Sequence, residues 1–186
     1  VTGRKQGTRR SITTYNEFLL ATPDPAHVLE MSHNFIFTDP ILVDPRDFAS
    51  PASPCQANKD VMKLTVILVF NLALSHHLKA MNSNETPLNR SSDFQRAFSL
   101  YALSCKTQVH QGVELSDIHA MAHINNLGQI VAASGKKVIA RQFFQRLLSQ
   151  LIIYMECTEQ EERPRREVEG FIQNTSQLIL RDPGLA

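Results

Sequence analysis

Three residues of this sequence have types and spacings that could support catalysis or metal binding. His119 and His123 stand four residues apart, which places them one turn apart on a helix, where two imidazoles could hold a zinc ion. Cys105 could act as a thiolate nucleophile if a histidine base lay within reach. Together they define one functional alternative, a small metal- or thiol-dependent enzyme.

The rest of the sequence does not complete such a site. The histidine pair lacks the glutamate of an HExxH motif, and the chain contains no CxxC pair, no GxSxG nucleophile elbow and no glycine-rich phosphate loop. The cysteines are odd in number, which is typical of reduced thiols in an intracellular protein. We therefore expect no catalytic residue, no metal and no cofactor. Cys105 is interpreted as a structural thiol, and the histidines as surface or core-edge residues.

The composition favours a folded domain that binds neither nucleic acid nor membrane. Nineteen basic residues face 18 acidic ones, whereas nucleic-acid-binding domains carry a strong basic excess. A nucleic-acid-binding helical array is therefore only a second alternative. The longest apolar run, 64–74, is much shorter than the roughly 20 residues of a membrane span. No apolar signal segment follows Val1, so we expect an intracellular, cytoplasmic protein.

The chain divides into three segments by composition. Residues 1–57 contain most of the prolines, which remove backbone donors, so this segment is predicted to be irregular. Residues 58–157 carry apolar residues at helical spacing and are predicted to form a helical domain. Residues 158–186 begin with a charge run, interpreted as a linker, and end in a capping segment.

The helical segment is predicted to contain four helices, at 61–81, 93–109, 116–134 and 136–156. Ser92 or Asp93 is the candidate N-cap of the second helix, and Gln111-Gly112 is expected to close it. Ser134-Gly135 has the composition of a short turn between the third and fourth helices.

Self-comparison of this segment reveals an internal repeat. Val69–Ala73 aligns with Ile124–Gly128, and Ala97–Tyr101 aligns with Ala140–Phe144. The two offsets differ, and a long loop at 81–92 in the first unit accounts for the difference. Two helix hairpins of one plan explain both alignments.

The second unit resembles a tetratricopeptide repeat (TPR). The family's large apolar positions, Leu-Gly pair, turn glycine and Ala-x3-Phe spacing are matched by Ile124, Leu127, Gly128, Val131, Gly135, Ala140 and Phe144. The resemblance covers about 64–152 and implies a mainly α fold of two TPR-like antiparallel helix hairpins. Gly128 and Ala140 are expected to face each other at a close helix crossing. A generic four-helix array without a family link is the alternative.

Two units leave the ends of such an array uncovered, because each repeat buries its face on the next. We predict that a short two-stranded pairing of Phe35–Val43 with Phe171–Leu180 closes the array. The run 170–180 fits a strand or a short helix, and the pairing requires that it be a strand.

The resemblance implies a non-enzymatic protein-interaction module, a scaffold or adaptor that binds a peptide or helix in a concave groove. The first and third helices would line this groove with Ile67, Phe70, Asn71, Leu74, His77, Ala122, Asn125, Asn126, Gln129 and Ala132. Some TPR proteins clamp acidic C-terminal tails with lysines, an arginine and asparagines, and Asn126 matches one of these. Phe70 and Leu74 replace two other clamp residues, so that ligand is not expected. The partner is an unidentified protein or peptide.

Asn71 and Asn126 occupy the same place in both units. Asparagine in a helix interior costs about 0.5–0.7 kcal/mol relative to alanine, so its recurrence suggests that the amide is used. It could bind the main chain of an extended peptide, since an amide both donates and accepts. It could instead bond a neighbouring helix or loop and fix the packing, which is the use we favour.

Overall fold

The chain is described by a computed structural model over residues 35–43, 54–81, 86–113, 115–157 and 166–180. Within these ranges it is mainly helical and contains no β-strand. The helices are α1 (Pro54–Met81), α2 (Pro87–Gln111), α3 (Asp117–Ala133), α4 (Lys137–Cys157) and α5 (Arg166–Leu180). Most of the segment predicted to be irregular, and most of the predicted linker, lies outside the described residues.

The first two helices begin earlier than predicted. α1 starts at Pro54, inside the segment predicted to be irregular, and α2 starts at Pro87. A proline in the first turn loses no hydrogen bond, because the N–H groups there have no partner within the helix. Thr86 is the N-cap of α2, and its hydroxyl accepts from the N–H of Asn89 at 3.3 Å. The N-cap predicted at Ser92 or Asp93 is therefore wrong.

Asp93 instead joins α2 to α1. Its buried carboxylate lies 2.9 Å from Nδ1 of His76 and 2.9 Å from Nζ of Lys79. Burial raises the pKa of Asp93, but the bonds from Lys79 and His76 outweigh it, so the net pKa is lowered. The carboxylate thus stays charged and holds the two helices together.

The other predicted helix ends are close to those of the structure. Gly112 closes α2 in the left-handed conformation, with φ at 61° and its N–H bonded to the carbonyl of Gln108. Gly135, with φ at 74°, lies in the turn between α3 and α4. Positive φ is the conformation that glycine adopts without strain, which explains both residues.

One hydrophobic core takes residues from all five helices and from the segment Phe35–Val43. In sequence order, α1 packs on α2, α3 packs on α4, and α4 also packs on α5. The buried side chains of largest volume include Tyr101 of α2, Phe70 of α1 and Phe171 of α5. Aromatic side chains from α1, α2 and α5 are therefore among the largest fillers of the core.

The predicted strand at 171–180 is wrong, because Arg166–Leu180 is helical. Val168, Phe171 and Thr175 are buried at helical spacing, so α5 turns one face into the core. The segment Phe35–Val43 does lie beside α5, as the predicted pairing required. Its main chain, however, bonds to side chains on helices and not to another strand.

By length and composition alone, residues Gln56–Met81 of α1 could cross a membrane, and 33% of the most apolar window is buried inside the fold. The expectation that no segment spans a membrane considered only the longest apolar run, 64–74, and that run is shorter than this segment. Val61, Leu68 and Leu72 on α1 are at least 50% exposed. A core helix of a soluble protein passes the same test.

Gly128 brings α3 close to α4. A Cβ at this position would lie 3.0 Å from the ring of Phe144 and 3.1 Å from the Cβ of Phe143. The close approach predicted for this buried glycine is therefore present, although its nearest neighbours are these phenylalanines and not Ala140.

We expect Gly128→Leu to lower the free energy of unfolding by about 1–3 kcal/mol, because the added side chain overpacks the contact with Phe143 and Phe144. Chemical denaturation monitored by circular dichroism measures the change. Gln145→Leu, which adds the same side chain at an exposed position of α4, is the control and should change stability little. Equal effects of the two substitutions would contradict the close packing at Gly128.

Candidate functional site: a groove lined by asparagines

The segment Phe35–Val43 lies in a groove formed by α1, α3 and α5. One asparagine on each of these helices bonds both the N–H and the C=O of a single residue of the segment. The pairs are Asn174 with Phe35 at 3.0 and 2.6 Å, Asn126 with Phe37 at 3.0 and 3.0 Å, and Asn71 with Ile41 at 2.9 and 2.9 Å. In each pair the side-chain carbonyl accepts and the side-chain NH2 donates.

The bonding capacity of Asn126 is fully used. Its Oδ1 accepts from the N–H of Phe37 and from Nδ2 of Asn125 at 3.1 Å. Its Nδ2 donates to the carbonyl of Phe37 and to the hydroxyl of Tyr101 at 3.0 Å. An asparagine amide can make four such bonds, and all four are present here. This residue therefore links the segment, α2 and α3 at one buried point.

A second layer of amides connects α3 to α5. Asn174 donates to Oδ1 of Asn125 at 2.6 Å, and Asn125 donates to the carbonyl of Phe35 at 3.2 Å. Because Asn125 and Asn174 bond both each other and the segment, the amides form a continuous network. Buried networks of this kind are stable only when their polar groups are paired.

The three bonded residues of the segment are separated by even numbers of positions. In an extended backbone the N–H and C=O groups of residues i and i+2 point to the same side, as do their side chains. Phe35, Phe37 and Ile41 are related by even steps, but Asp39, which has the same phase, is exposed, so the alternation does not run through the whole segment. Phe37 and Ile41 are each 4% exposed, whereas Leu42, one step out of phase, is 85% exposed. The groove thus binds Phe35, Phe37 and Ile41, whereas Thr38, Asp39 and Pro40 remain exposed.

Aromatic rings from all three groove helices surround Phe37. Its ring centroid lies 6.3 Å from that of Phe70 on α1, 6.5 Å from His119 on α3 and 6.2 Å from Phe171 on α5. Phe35 packs edge-on against Phe171 at 5.5 Å. These distances are in the range of favourable aromatic pairs, so the segment is held by side chains as well as by its main chain.

Asn174 was not predicted, although the sequence contains a signal for it. In each of the three cases a β-branched aliphatic residue stands two positions before the asparagine, at Val69, Ile124 and Ile172. This Val/Ile-x-Asn pattern is common to α1, α3 and α5. The uncertain choice of strand or helix at 170–180 concealed it.

Four of the predicted groove residues contact the segment: Phe70, Asn71, Asn125 and Asn126. Asn126 is buried and Asn71 is half-buried, and both bond within the chain. This is the structural use that we favoured. The element that they bond is nevertheless the main chain of a segment outside the helices, and a peptide ligand would offer the same N–H and C=O groups.

The remaining predicted groove residues are buried or half-buried on α1 and α3: Ile67, Leu74, His77, Ala122, Gln129 and Ala132. The ring of His77 faces α2, with its centroid 5.7 Å from Phe94 and 6.0 Å from Tyr101. Helical spacing placed it on the groove face, but α1 is apolar nearly all round and its sequence does not define a single face. Among the residues that the structure describes, the polar side-chain atoms of His77 and Gln129 find no hydrogen-bond partner.

The residues of the enzyme alternative lie in the core or at its edge. Nδ1 of His119 is 2.8 Å from the hydroxyl of Ser116, and its ring packs on Phe37. Burial, followed by the nearby charge of Lys63, lowers the pKa of His119. Cys105 is 2% exposed. In the part of the chain that the structure describes, no group of three or more His, Cys, Asp or Glu side chains could hold a metal ion.

His123 and Ser104 have the spacing of a base and a nucleophile but are closed to solvent. The hydroxyl of Ser104 lies 2.9 Å from Nε2 of His123 and donates to the carbonyl of Val66 at 2.9 Å. Nδ1 of His123 lies 2.9 Å from the carbonyl of His119. Ser104 is 0% exposed and His123 is 1% exposed, so a substrate has no access. The pair joins α1, α2 and α3.

Comparisons with protein-family models, curated proteins and solved structures found no match to this chain.

We expect Asn126→Ala to lower the free energy of unfolding by about 1–3 kcal/mol for each buried partner that loses its bond. These partners include the N–H and C=O of Phe37 and the hydroxyl of Tyr101. Urea denaturation measures the loss. Asn58→Ala, at an exposed position of α1, is the matched control and should be neutral or slightly stabilising. Similar values for both variants would contradict the network.

Stability is expected to fall as the pH decreases from about 6.5 to about 4. Burial lowers the pKa of His77 from 6.5 to about 3 and that of His123 from 6.5 to about 4. The unfolded chain therefore binds more protons than the folded chain in this window. The free energy of unfolding should decrease there by up to about 1.4 kcal/mol per pH unit for each histidine. It should level off below the folded-state pKa values.

Urea denaturation at a series of pH values measures this slope. His77→Phe retains the ring contacts with Phe94 and Tyr101 and removes the titrating group, so its slope should be shallower than that of the unsubstituted chain. An unchanged slope in this variant would show that His77 is not a source of the pH dependence.

Proposed function

We propose that this chain is a non-enzymatic protein-interaction module whose groove on α1, α3 and α5 binds the main chain of an extended peptide. The observation that carries the proposal is the set of three asparagines, each bonded to both main-chain groups of one residue. Because these bonds involve only the main chain, they would be available to any extended peptide of suitable length.

The proposed architecture is a TPR-like array in which α1 and α2 form one helix hairpin, α3 and α4 form a second, and α5 begins a third unit. The packing of α1 on α2 and of α3 on α4 supports this arrangement. The asparagine found on every second helix supports it as well. Helical arrays need about three units to bury their faces, and α5 supplies the missing surface.

In this proposal the segment Phe35–Val43 is a ligand within the same chain. It is joined to α1 by residues 44–53, and a short connection gives a tethered ligand an effective concentration of about millimolar. A separate peptide must compete with this segment. The apparent affinity of the peptide is therefore its intrinsic affinity multiplied by the fraction of molecules whose groove is open. The groove of the unsubstituted chain is therefore mostly occupied.

The proposal is tested with a labelled, terminally blocked peptide of residues 35–43, FIFTDPILV, and the full chain. Phe37→Ala in the chain should weaken the binding of the chain's own segment to the groove by about 3–5 kcal/mol, the usual loss for a buried phenylalanine. We expect the peptide to bind this variant at least tenfold more tightly than the unsubstituted chain, as measured by fluorescence anisotropy. The peptide should also raise the melting temperature of the variant.

Two controls accompany this measurement. Adding Asn126→Ala to the Phe37→Ala chain should abolish binding, whereas adding Asn58→Ala should not. Circular dichroism establishes that each variant is helical. If a folded Phe37→Ala chain binds no peptide at millimolar concentration, the groove is not a peptide-binding site.

A further inference from the structure

Main-chain bonds alone give the groove no means of choosing a peptide. The amides of Asn71, Asn126 and Asn174 contact N–H and C=O groups, which are the same for almost every residue type. Any selectivity must come from the places where ligand side chains enter the groove. Phe35, Phe37 and Ile41 mark three such places, and we number them positions 1, 3 and 7 of the ligand.

Position 3 is built for a flat aromatic ring. Phe37 is 4% exposed and has the rings of Phe70, His119 and Phe171 around it. An aliphatic side chain here would leave part of the surrounding aromatic surface without contact. The three rings come from three different helices, so this place exists only when the whole groove is assembled.

Position 1 depends on the absence of a side chain at residue 170. A Cβ on Gly170 would overlap the ring of Phe35. Glycine is a poor residue for the interior of a helix, yet it stands inside α5, whose next residue, Phe171, packs edge-on against Phe35. The ring of Phe35 occupies the space that a side chain at residue 170 would need.

Position 7 receives an aliphatic side chain, and the positions between are open. Ile41 is 4% exposed and belongs to the hydrophobic core. Thr38, Asp39 and Pro40 are exposed, so the groove places little restriction on them. A competing peptide must restore the contacts that leave with the chain's own segment. These are the contacts of the two aromatic rings, of Ile41 and of the half-buried Val43, which also packs against the core.

We infer that the partner of this groove is an extended peptide with aromatic residues at positions 1 and 3 and an aliphatic residue at position 7. We further infer that it binds by taking the place of Phe35–Val43, with Gly170 selecting the aromatic residue at position 1. This inference rests on the proposed function and adds the chemistry of the ligand to it.

The test uses the full chain carrying Phe37→Ala and three labelled peptides. These are FIFTDPILV, the same peptide with Phe35→Ala, and the same peptide with Phe37→Ala. We expect each alanine peptide to bind at least tenfold more weakly than FIFTDPILV in fluorescence anisotropy. Adding Gly170→Ala to the chain should weaken the binding of FIFTDPILV at least tenfold and leave the binding of the Phe35→Ala peptide unchanged. Glu169→Ala, at the exposed neighbouring position, is the control and should alter neither peptide.

The outcomes separate this inference from the proposed function. Equal binding of all three peptides would overturn the aromatic selection while leaving a main-chain-binding groove. Absence of binding by every peptide would overturn the proposed function itself. A dimer of the unsubstituted chain that no peptide dissociates, detected by light scattering, would assign the groove to a second copy and overturn the separate partner.

A second measurement needs no peptide and applies if the Phe37→Ala chain does not fold. In the unsubstituted chain, Gly170→Ala should lower the melting temperature, although alanine favours helices. In a chain that already carries Phe35→Ala, the same substitution should raise it, because the ring is no longer there. A higher melting temperature in both backgrounds would overturn the role of Gly170.

Discussion

A main chain buried against helices must find partners for its N–H and C=O groups, and for Phe35, Phe37 and Ile41 the asparagines of α1, α3 and α5 provide them. Buried backbone groups are almost always paired, because leaving one unpaired costs about as much as a lost hydrogen bond. Helices cannot offer main-chain groups to a neighbouring chain, since theirs are used within the helix. Side-chain amides are therefore the means by which a helical surface can hold a strand-like segment.

This requirement explains features of the fold that are otherwise unfavourable. Asn71, Asn126 and Asn174 lie within helices, although asparagine has a low helix propensity. Gly170 also lies within a helix, and glycine has a lower helix propensity than asparagine. Each has a local cost that contacts with Phe35–Val43 offset. The position of α5 follows from the same contacts, because Asn174 and Phe171 both meet the segment.

Local patterns in the sequence were sufficient for much of the helical fold. The periodic apolar residues of α3 and α4 placed those helices, and Gly112 and Gly135 marked turns that only the left-handed conformation satisfies. Long-range contacts were the source of the errors. Aspartate is a residue type favoured at N-caps, but the carboxylate of Asp93 bonds His76 and Lys79 on another helix. No local pattern distinguishes the two roles.

The groove was partly predictable for a related reason. The recurrence of Asn71 and Asn126 in register indicated that the amides were used, but Asn174 lies in a short apolar run that fits strand and helix equally well. His77 was misplaced because α1 is apolar nearly all round. The sequence did predict that Phe35–Val43 lies beside 171–180, but as a pairing of two strands. The bonds from its main chain to asparagine side chains were not predicted, because no local pattern links Phe35 or Phe37 to an amide on a helix.

The separation of Phe35 from Asn174 in the sequence has a consequence for the order of folding. The bond between Phe35 and Asn174 joins residues 139 positions apart, whereas the contacts of each helix with the next are far more local. Contacts between distant residues carry a larger loop-closure entropy and tend to form late. During synthesis the segment emerges before any of the five helices, yet its binding site is complete only when α5 has formed. The groove is therefore built entirely from helices that follow its occupant in the sequence, and its last asparagine is the last part to be synthesised.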